Sequence, residues 1–506
     1  MNLASTLTDA ADRGGSEVAF KLDEVELTYA ALDGSAARLA GVLRERGVDA
    51  GDRVGVMLPN VPYFPVAYYG VLRLGAAVVP MNVLLKGREV EYYLRDSGAK
   101  ALIAWHGFAD EAKEGAAAAG VEVIVVAPGE FEQLLDGADP ATEVVEREER
   151  DTAVILYTSG TTGSPKGAEL TNANLLTNAT VNAETLFHLT DEDRLLGALP
   201  LFHSFGQTCT MNAAIRAGAM VSLIPRFDPV KALEILQRDR ITVFEGVPTM
   251  YNAMLAVPSR GEYDTSSLRL CVSGGASLPV EILETFEGQF GCKILEGYGL
   301  SETSPVASFN HPDRERKPGS IGTPIEGVEM KLVDDDGHDM TEPDAVGEIA
   351  IRGRNVMKGY WGNPKATAAT IDADGWLKTG DVAKVDADGY FFIVDRKKDL
   401  IIRGGYNVYP REVEEVLFAH PAIQEAAVVA VPNRELGEEV GAAVALKPGE
   451  QASPDDIRAY CRSQIAAYKY PRHIWFVDEL PKGPTGKVLK REIELPADVA
   501  SATGGD

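Results

Sequence analysis

The sequence predicts an α/β fold: a large N-terminal body of α/β subdomains with a small β subdomain, followed by a small α+β C-terminal domain. Three observations predict it. Helix and strand signals alternate along the first part of the chain, which is typical of a largely parallel sheet. Short β-rich runs separated by Asp-Gly pairs follow, and helix and strand signals return near Arg396. The chain has 506 residues, more than the roughly 100–200 of one domain, so several packed units are expected.

Capping residues and apolar spacing predict the first elements. Thr28 can cap a helix in which Leu32, Leu39 and Leu43 recur at helical spacing, and Gly47 is suited to end it. Apolar runs that alternate with helical stretches predict strands at 54–57, 101–104, 121–126 and 154–157. Parallel strands need such crossover helices between them, so this order supports a parallel sheet.

The middle of the chain repeats this pattern and then changes character. Strands are predicted at 195–199, 220–224, 243–246 and 268–273, with a helix at 230–238. From Gly319 onward, β-rich runs at 347–351 and 390–394 are separated by Asp-Gly turns at 336–337, 374–375 and 388–389. This region is therefore predicted to form the small β subdomain.

The last unit begins near Arg396. Pro410 fits the first turn of a helix, and the apolar run 426–431 predicts a strand. Ser453 can cap another helix, which would bury Ile457 and Cys461. These elements form the predicted α+β C-terminal domain.

Charge and composition exclude several classes of protein. With 49 Lys and Arg against 76 Asp and Glu, the formal charge is −27, which argues against a nucleic-acid binder. The four dispersed cysteines form no zinc-like pattern. The N-terminus does not resemble a signal peptide, and no apolar run approaches the roughly 18 residues of a membrane span. We therefore expect a cytoplasmic protein without a transmembrane segment, either a monomer or a homodimer.

A loop rich in glycine and hydroxyl groups follows the strand predicted at 154–157. It reads YTSGTTGSPKG over residues 157–167, and its glycines, hydroxyls and single lysine suit a loop that surrounds phosphate groups. A Walker A loop would need Gly-Lys-Ser/Thr where Pro165, Lys166 and Gly167 stand, which disfavours a P-loop kinase or NTPase. The predicted phosphate contacts are Thr158, Ser159, Gly160, Thr161, Thr162, Gly163 and Lys166.

With this loop, three later motifs identify a family resemblance. They are EGYGLSET at 296–303, KTGD at 378–381 followed by DRKKDLIIRGGYNVY at 395–409, and PKGPTGKVLK at 481–490. Together they resemble the adenylate-forming superfamily of acyl-CoA synthetases, adenylation domains and luciferases. The stretch 297–322 is most similar to bacterial fatty-acyl-CoA ligases. The resemblance implies an adenylation body at 1–395 and a mobile C-terminal domain at 396–506.

The resemblance also implies roles for residues in the nucleotide site. Glu302, with Thr158, would hold Mg²⁺, and oxygen ligands suit that ion. Asp381 and Arg396 would contact the ribose, and Lys398 would be the hinge. The catalytic residues would be Lys487, Lys166, Glu302 and Thr158. The remaining nucleotide contacts implied are Gly274, Gly275, Ala276, Glu296, Gly297, Tyr298, which would stack beside the adenine, Gly299 and Ser301.

The acyl and CoA sites are implied in the same way. His203, Phe205, Val247 and Tyr251, with Met254, would line the acyl site, although core packing explains the same apolar character. Gly404 and Gly405 would lie against the pantetheine of CoA. Some aryl-CoA ligases carry a lysine near this turn, and this sequence does not, which weakens the transfer of their contacts.

The implied reaction is the ATP-dependent activation of a carboxylic acid, foremost a fatty acid, to acyl-AMP and then to acyl-CoA. ATP with Mg²⁺, the acid and CoA would be its small-molecule partners. Three alternatives stay open at this point: an aryl-acid CoA ligase, a ligase that loads the phosphopantetheine of a carrier protein, and a non-catalytic nucleotide binder. A pure binder has no evident use for Lys487, which disfavours the last.

Overall fold

Helices and strands alternate along the chain in the computed structural model, which describes residues 1–158, 165–342, 345–397, 399–497 and 499. The α-helices in chain order are α1 (Ser5–Gly14), α2 (Tyr29–Glu45), α3 (Tyr63–Arg73), α4 (Gly87–Ser97), α5 (Ala109–Ala119), α6 (Glu130–Asp136), α7 (Asn172–Val181), α8 (Ala213–Ala217), α9 (Pro229–Arg238), α10 (Pro248–Leu255), α11 (Val280–Phe290), α12 (Pro364–Thr370), α13 (Pro410–Phe418) and α14 (Pro454–Gln464).

The strands form four sheets. In chain order they are β1 (Val18–Leu22), β2 (Val25–Thr28), β3 (Arg53–Met57), β4 (Ala77–Pro80), β5 (Ala101–Trp105), β6 (Glu122–Val126), β7 (Thr152–Thr158), β8 (Lys166–Thr171), β9 (Arg194–Gly197), β10 (Met220–Leu223), β11 (Val243–Gly246), β12 (Leu270–Ser273), β13 (Lys293–Gly299), β14 (Val306–Phe309), β15 (Thr323–Pro324), β16 (Val328–Val333), β17 (Asp339–Met340), β18 (Val346–Gly353), β19 (Gly359–Tyr360), β20 (Leu377–Val385), β21 (Phe391–Arg396), β22 (Ile401–Arg403), β23 (Tyr406–Val408), β24 (Ile423–Asn433), β25 (Gly437–Leu446) and β26 (His473–Phe476).

Two large sheets build the N-terminal body. One has nine strands in the order β15-β14-β13-β12-β11-β9-β10-β1-β2, and the other has seven in the order β19-β8-β7-β4-β3-β5-β6. In the first sheet, adjacent strands are parallel along the run β1-β10-β9-β11-β12-β13. In the second, they are parallel along the run β7-β4-β3-β5-β6. The predicted α/β class and its parallel sheet are confirmed.

The centre of the nine-stranded sheet is buried on both faces. Phe244, Cys271 and Ile294 face one apolar cluster, while Val272 and Leu295 face the other. Strands buried on both faces read as continuous apolar runs, which is why the sequence shows these strands clearly. Their carboxyl ends all lie at one edge of the sheet.

The β subdomain and the C-terminal domain follow the body. The sheet β17-β16-β18-β20-β21 is antiparallel, and Gly337 and Gly389 have φ of 88° and 82° in its predicted Asp-Gly turns. The C-terminal sheet β23-β22-β25-β24, with β26 beside β25, packs on α13 and α14. The predicted small β-rich domain after the body is confirmed.

Caps place the helix ends where the sequence predicts them. Thr28 Oγ1 accepts a hydrogen bond from Ala31 N at 3.2 Å, and Ser453 Oγ accepts one from Asp456 N at 3.2 Å. The strand predicted at 195–199 ends earlier, at Gly197. There the Asn60 side-chain amide donates to the carbonyls of Gly197 and Leu199. None of the helices described has both the length and the apolar character needed to span a bilayer.

One carboxyl group lies inside the core of the nine-stranded sheet. Glu245 on β11 is 0% exposed, and its Oε2 accepts a hydrogen bond from the Thr210 hydroxyl. Its Oε1 has no partner among the residues that the structure describes. Burial, opposed by the Thr210 hydrogen bond, raises the pKa of Glu245 to about 8. The neutral form is therefore favoured in the folded protein.

This burial predicts a pH-dependent stability difference between the wild type and Glu245→Gln. Between about pH 4.5 and pH 8 the unfolded wild type releases the carboxyl proton and the folded wild type retains it, so the wild type loses stability as pH rises. The glutamine variant lacks this loss. At about 1.4 kcal/mol per pKa unit, its relative stability should increase on the order of 3 kcal/mol from pH 5 to pH 8. Urea unfolding at both pH values measures this, and an equal difference at both would contradict it.

Candidate active site

A cavity of about 250 Å³ lies between the carboxyl edge of the nine-stranded sheet and the C-terminal domain. Ligands of open α/β sheets bind at such edges. Its walls include four segments: the turn after β12, the end of β13, the β20–β21 hairpin and residues 486–488, which follow β26 in the chain. The predicted nucleotide-site residues that line it are Gly275, Ala276, Glu296, Gly297, Tyr298, Gly299, Asp381, Arg396 and Lys487.

Two glycines shape the turn after β12. Gly275 has φ of +77°, a left-handed conformation that favours glycine. A Cβ on Gly274 would lie 3.0 Å from the Phe205 ring, so Phe205 packs closely against this turn. The turn therefore brings backbone to the cavity while Phe205 closes the space behind it.

The end of β13 is held tightly against β14. A Cβ on Gly299 would lie 1.8 Å from the Pro305 carbonyl oxygen, so only glycine fits there. Glu296 is 2% exposed, and its Oε1 accepts a hydrogen bond from Leu278 N at 3.1 Å. In the described part of the chain its Oε2 has no partner. Burial, opposed by the Arg411 charge, raises the pKa of Glu296 to about 7.

A shared carboxylate joins three of the cavity residues. Tyr298 Oη donates to Asp381 Oδ2 at 2.7 Å, and Arg396 Nε lies 3.2 Å from Asp381 Oδ1. The pairing of Asp381 with Arg396 across β20 and β21 sets this geometry. Burial and the Asp381 charge together hold the pKa of Tyr298 well above its ordinary value. Both oxygens of Asp381 thus face fixed donors at the cavity wall.

A second carboxylate lies at the mouth of the β7–β8 hairpin. Glu302 Oε1 accepts hydrogen bonds from Thr158 Oγ1 at 3.3 Å and from Tyr360 Oη at 2.9 Å. Thr158 pairs with Lys166 across the hairpin, and Lys166 Nζ lies 5.2 Å from the centre of the Tyr360 ring. Ser301 Oγ lies 3.5 Å from Ser204 Oγ. This arrangement gathers hard oxygen atoms and one cation beside the phosphate-loop motif.

Part of the predicted site lies outside the described residues: Ser159, Gly160, Thr161, Thr162, Gly163 and the predicted hinge Lys398. Lys487 lines the cavity beside Gly486, where a tight turn is closed by Gly483 N donating to Lys487 O at 2.8 Å. The structure thus brings Lys487 to the same cavity as Tyr298 and Asp381.

The predicted acyl residues occupy different layers. Val247 lines the cavity. Burial, and then the Lys487 charge, lowers the pKa of His203 to about 4, so this imidazole is neutral at pH 7. Tyr251 lies in the core below the sheet edge, where its hydroxyl donates to Val272 O at 2.7 Å. Met254 is buried in the same cluster. The acyl roles of these residues stay predictions.

Gly404 and Gly405 form the turn between β22 and β23. Their φ angles are +56° and +84°, and Gly404 N donates to Leu436 O at 2.8 Å. The residues that line the cavity do not include them. Their contact with CoA stays a prediction.

Several charged and polar residues of the site were not predicted. Lys490 Nζ pairs with Glu414 Oε1 at 2.7 Å, and Arg411 N donates to Asp395 Oδ2 at 3.1 Å; all four residues line the cavity. Lys490 and Asp395 fall inside the quoted motifs, which is a signal for them. Tyr360 lies outside the quoted motifs, so a single sequence gives no such signal for it.

Helix α10 contacts the C-terminal domain directly. Thr249 Oγ1 donates to the carbonyl of Gly486 at 2.8 Å, and Asn252 Nδ2 donates to the carbonyl of Gln424 at 3.1 Å. These bonds hold the turn that carries Lys487 against the nine-stranded sheet. They therefore help to complete the cavity.

Comparisons with known proteins agree on one family. The profile described as AMP-binding enzyme matches residues 7–361, and that of the AMP-binding enzyme C-terminal domain matches 412–487. A long-chain-fatty-acid--CoA ligase of Bacillus subtilis is 39% identical over 97% of this chain and 94% of its own. A feruloyl-CoA synthase of Amycolatopsis is 39% identical over 92% and 93%. A crystal structure of an anthranilate CoA ligase with anthranoyl-AMP superposes with a TM-score of 0.92 at 32% identity, over 99% of this chain and 97% of its own.

The two bonds of α10 predict how the domain interface responds to substitution. Thr249→Val with Asn252→Ala removes two hydrogen bonds of about 1 kcal/mol each, so the two surfaces should separate at least about ten-fold more often. Trypsin cleavage near Arg396 and Lys397 should accelerate accordingly, as measured on gels.

The matched control is Ser267→Ala, which removes a similar hydrogen bond, from Ser267 Oγ to Ile241 O at 2.9 Å, inside the body. Equal cleavage of the control and the double variant would show that the two bonds do not hold the interface.

Proposed function

We propose, from the premise that this chain belongs to the AMP-binding enzyme family, that it is a fatty-acyl-CoA ligase. It activates a carboxylic acid with ATP to an acyl adenylate and transfers the acyl group to CoA. One observation carries the proposal: a single cavity is lined by Tyr298, Asp381, Arg396 and Lys487, which come from three motifs far apart in the chain. The fatty acid is inferred from the relative named as a long-chain-fatty-acid--CoA ligase.

The nucleotide is proposed to lie along the end of β13. Tyr298 would stack beside the adenine, and the Asp381 carboxylate would accept hydrogen bonds from the ribose hydroxyls, with Arg396 as the second ribose contact. The fixed donors on Asp381, at 2.7 Å and 3.2 Å, keep this carboxylate in place before ligand arrives. Preorganisation of this kind lowers the cost of binding.

The donor set at Glu302 fits Mg²⁺. Glu302 Oε1 and Thr158 Oγ1 are hard oxygen ligands 3.3 Å apart, and such oxygens are what Mg²⁺ prefers. Glu302 and Thr158 would hold the ion, which when bound neutralises phosphate charge. Tyr360 Oη donates to the same oxygen, Glu302 Oε1, and orients this carboxylate.

In the first half-reaction, a carboxylate oxygen of the acid attacks the α-phosphorus of ATP, and the bond from that phosphorus to pyrophosphate breaks. The acid has a reference pKa of about 4.3 and is already ionised at pH 7, so no general base is required. Two anions must approach each other instead. Lys166 and Lys487 supply the positive charge that stabilises this transition state.

In the second half-reaction, the thiol sulfur of CoA attacks the acyl carbon, the bond from that carbon to AMP breaks, and the thiol proton is released. A free thiol with a pKa of about 8.5 is only slightly ionised at neutral pH. The β22–β23 turn at Gly404 and Gly405 is proposed to lie against the pantetheine during this step.

An aryl acid is the second candidate substrate. The feruloyl-CoA synthase relative and the anthranilate CoA ligase structure favour it. Pyrophosphate release with short, medium and long fatty acids and with aryl acids distinguishes the two. Replacing CoA with a phosphopantetheinylated carrier protein tests whether a carrier protein accepts the acyl group instead of CoA. AMP as the product separates all of these from a kinase, which would release ADP.

The proposed location is the cytoplasm. Its support is that Cys209, Cys271, Cys292 and Cys461 are all free thiols, as expected in a reducing compartment. Fractionation of the source cells tests it, and recovery of the protein outside the cytoplasm would overturn it.

Lys487→Ala should separate the two half-reactions. We expect acyl-AMP formation, followed as pyrophosphate release, to fall at least about 100-fold, because the lysine stabilises charge that develops in that step. Thioester formation from preformed acyl-AMP should change less than about three-fold.

The control for that variant is Lys469→Ala, which removes a lysine of the same domain that pairs with Glu412. An equal fall of both half-reactions in Lys487→Ala would remove Lys487 from the first step.

Tyr360→Phe tests the orientation of Glu302. Loss of the 2.9 Å hydrogen bond to Glu302 Oε1 should raise KM for ATP with Mg²⁺ about three- to ten-fold, since one hydrogen bond to a charged group is lost. KM for CoA should stay unchanged. Tyr390→Phe, which removes a hydroxyl that donates to Glu315 O, is the control. An unchanged KM for ATP would show that Tyr360 does not position Glu302.

A further inference from the structure

Glu245 has no part in the mechanism above, yet it lies next to the proposed acyl site. Val247, two residues further along the chain, lines the cavity. Thr210, which donates to Glu245 Oε2, belongs to the π-helical segment Phe205–Asn212, whose first residue packs on the turn after β12. Glu245 is therefore one layer deeper than the cavity wall, between that segment and the sheet.

The π-helical segment carries further buried polar atoms that have no partner among the described residues. They are Gln207 Oε1 and Thr208 Oγ1, and both residues, like Glu245, are 0% exposed. A buried polar atom without a partner costs free energy, so native proteins pair nearly all of them. A site for a purely apolar chain would be lined more favourably by apolar side chains.

The local backbone also departs from a regular helix. A π-helical segment of eight residues follows His203, and π-helical turns are rare and concentrate at functional sites. Cys209 of this segment lies near Glu245, since burial and then the Glu245 charge raise the pKa of its thiol. The segment thus places Thr210 and Cys209 beside Glu245.

The chemistry of Glu245 limits the group it can recognise. Burial keeps its carboxyl largely neutral at pH 7, so the carboxyl holds one proton. Because Oε2 accepts from Thr210, that proton lies on Oε1, which offers a hydrogen-bond donor without a full charge. A neutral hydroxyl satisfies Oε1 with one hydrogen bond. A methyl group in the same place leaves Oε1 unpaired, and sites built to bond a hydroxyl reject analogues that lack it.

We propose that Glu245 is a specificity-determining residue of the acyl site and donates a hydrogen bond from its Oε1 to a hydroxyl group at the distal end of the carboxylic acid. This inference rests on the proposed function, because it concerns the acid that the ligase activates. The favoured substrates are then hydroxylated acids, and matched acids that end in a methyl group are poorer.

Matched acid pairs test the proposal in the full-length enzyme. Each ω-hydroxy fatty acid is compared with the alkanoic acid in which a methyl group replaces the hydroxyl, over a series of chain lengths; 4-hydroxyphenylpropanoic acid is compared with its 4-methyl analogue. The readout is the ratio of kcat/KM for the hydroxylated acid to that for its methyl partner. We expect a ratio of about ten or more for at least one pair in the wild type.

Two variants then assign the preference to Glu245. Glu245→Leu should bring the ratio below one, because the methyl partner gains an apolar neighbour. Glu245→Gln keeps one acceptor for Thr210 and one hydrogen-bond donor, its amide NH2, and should keep the ratio above one. Glu169→Gln, a buried glutamate of the seven-stranded sheet paired with Lys358, is the control and should leave the ratio unchanged.

The outcomes separate this inference from the proposed function. A wild type that releases no pyrophosphate with any of the acids overturns the proposed function. An active wild type whose ratio is one or less for every pair overturns the role of Glu245 alone, and this holds even if the leucine variant does not fold. A preference that Glu245→Leu leaves intact also overturns it.

Discussion

The site depends on the Asp381 carboxylate, which joins the body to the β subdomain. Tyr298, at the end of the nine-stranded sheet, donates to one oxygen, and Arg396, the last residue of β21, pairs with the other. Asp381 itself belongs to the β subdomain and is 5% exposed. Hydrogen bonds to a buried charge contribute about 1.5–3 kcal/mol each. One carboxylate thus fixes the β subdomain against the body at the point where the chain enters the C-terminal domain.

Electrostatics in this protein are local. The formal charge of −27 repels ATP, CoA and a carboxylate alike, so the overall field does not draw these ligands in. Within the cavity, acidic residues are offset by neighbours: Glu414 pairs with Lys490, and Asp395 accepts from the Arg411 backbone. Binding of anions must therefore rest on a few cations at fixed positions, and the large acidic surface serves solubility.

Much of the fold could be predicted because its signals are local. Thr28, Pro410 and Ser453 mark helix starts through caps and fixed backbone angles, and apolar runs mark the parallel strands. The motifs predicted the cavity residues Tyr298, Asp381 and Lys487, whose roles stay proposals. The pairing of β1 with β10, the contact of Tyr360 with Glu302 and the core position of Tyr251 could not be predicted. They join residues far apart in sequence, and nothing in the spacing of one sequence records such contacts.

The turn from β11 into α10 faces two neighbours at once. Val247, Thr249 and Asn252 border the cavity, and Thr249 and Asn252 also donate hydrogen bonds to the C-terminal domain. Thermodynamic coupling between two sites is reciprocal, and a short segment that contacts both is the simplest physical basis for it. A ligand that favours one position of this turn therefore shifts the docking equilibrium of the C-terminal domain. Docking of that domain changes the affinity for the ligand by the same free energy.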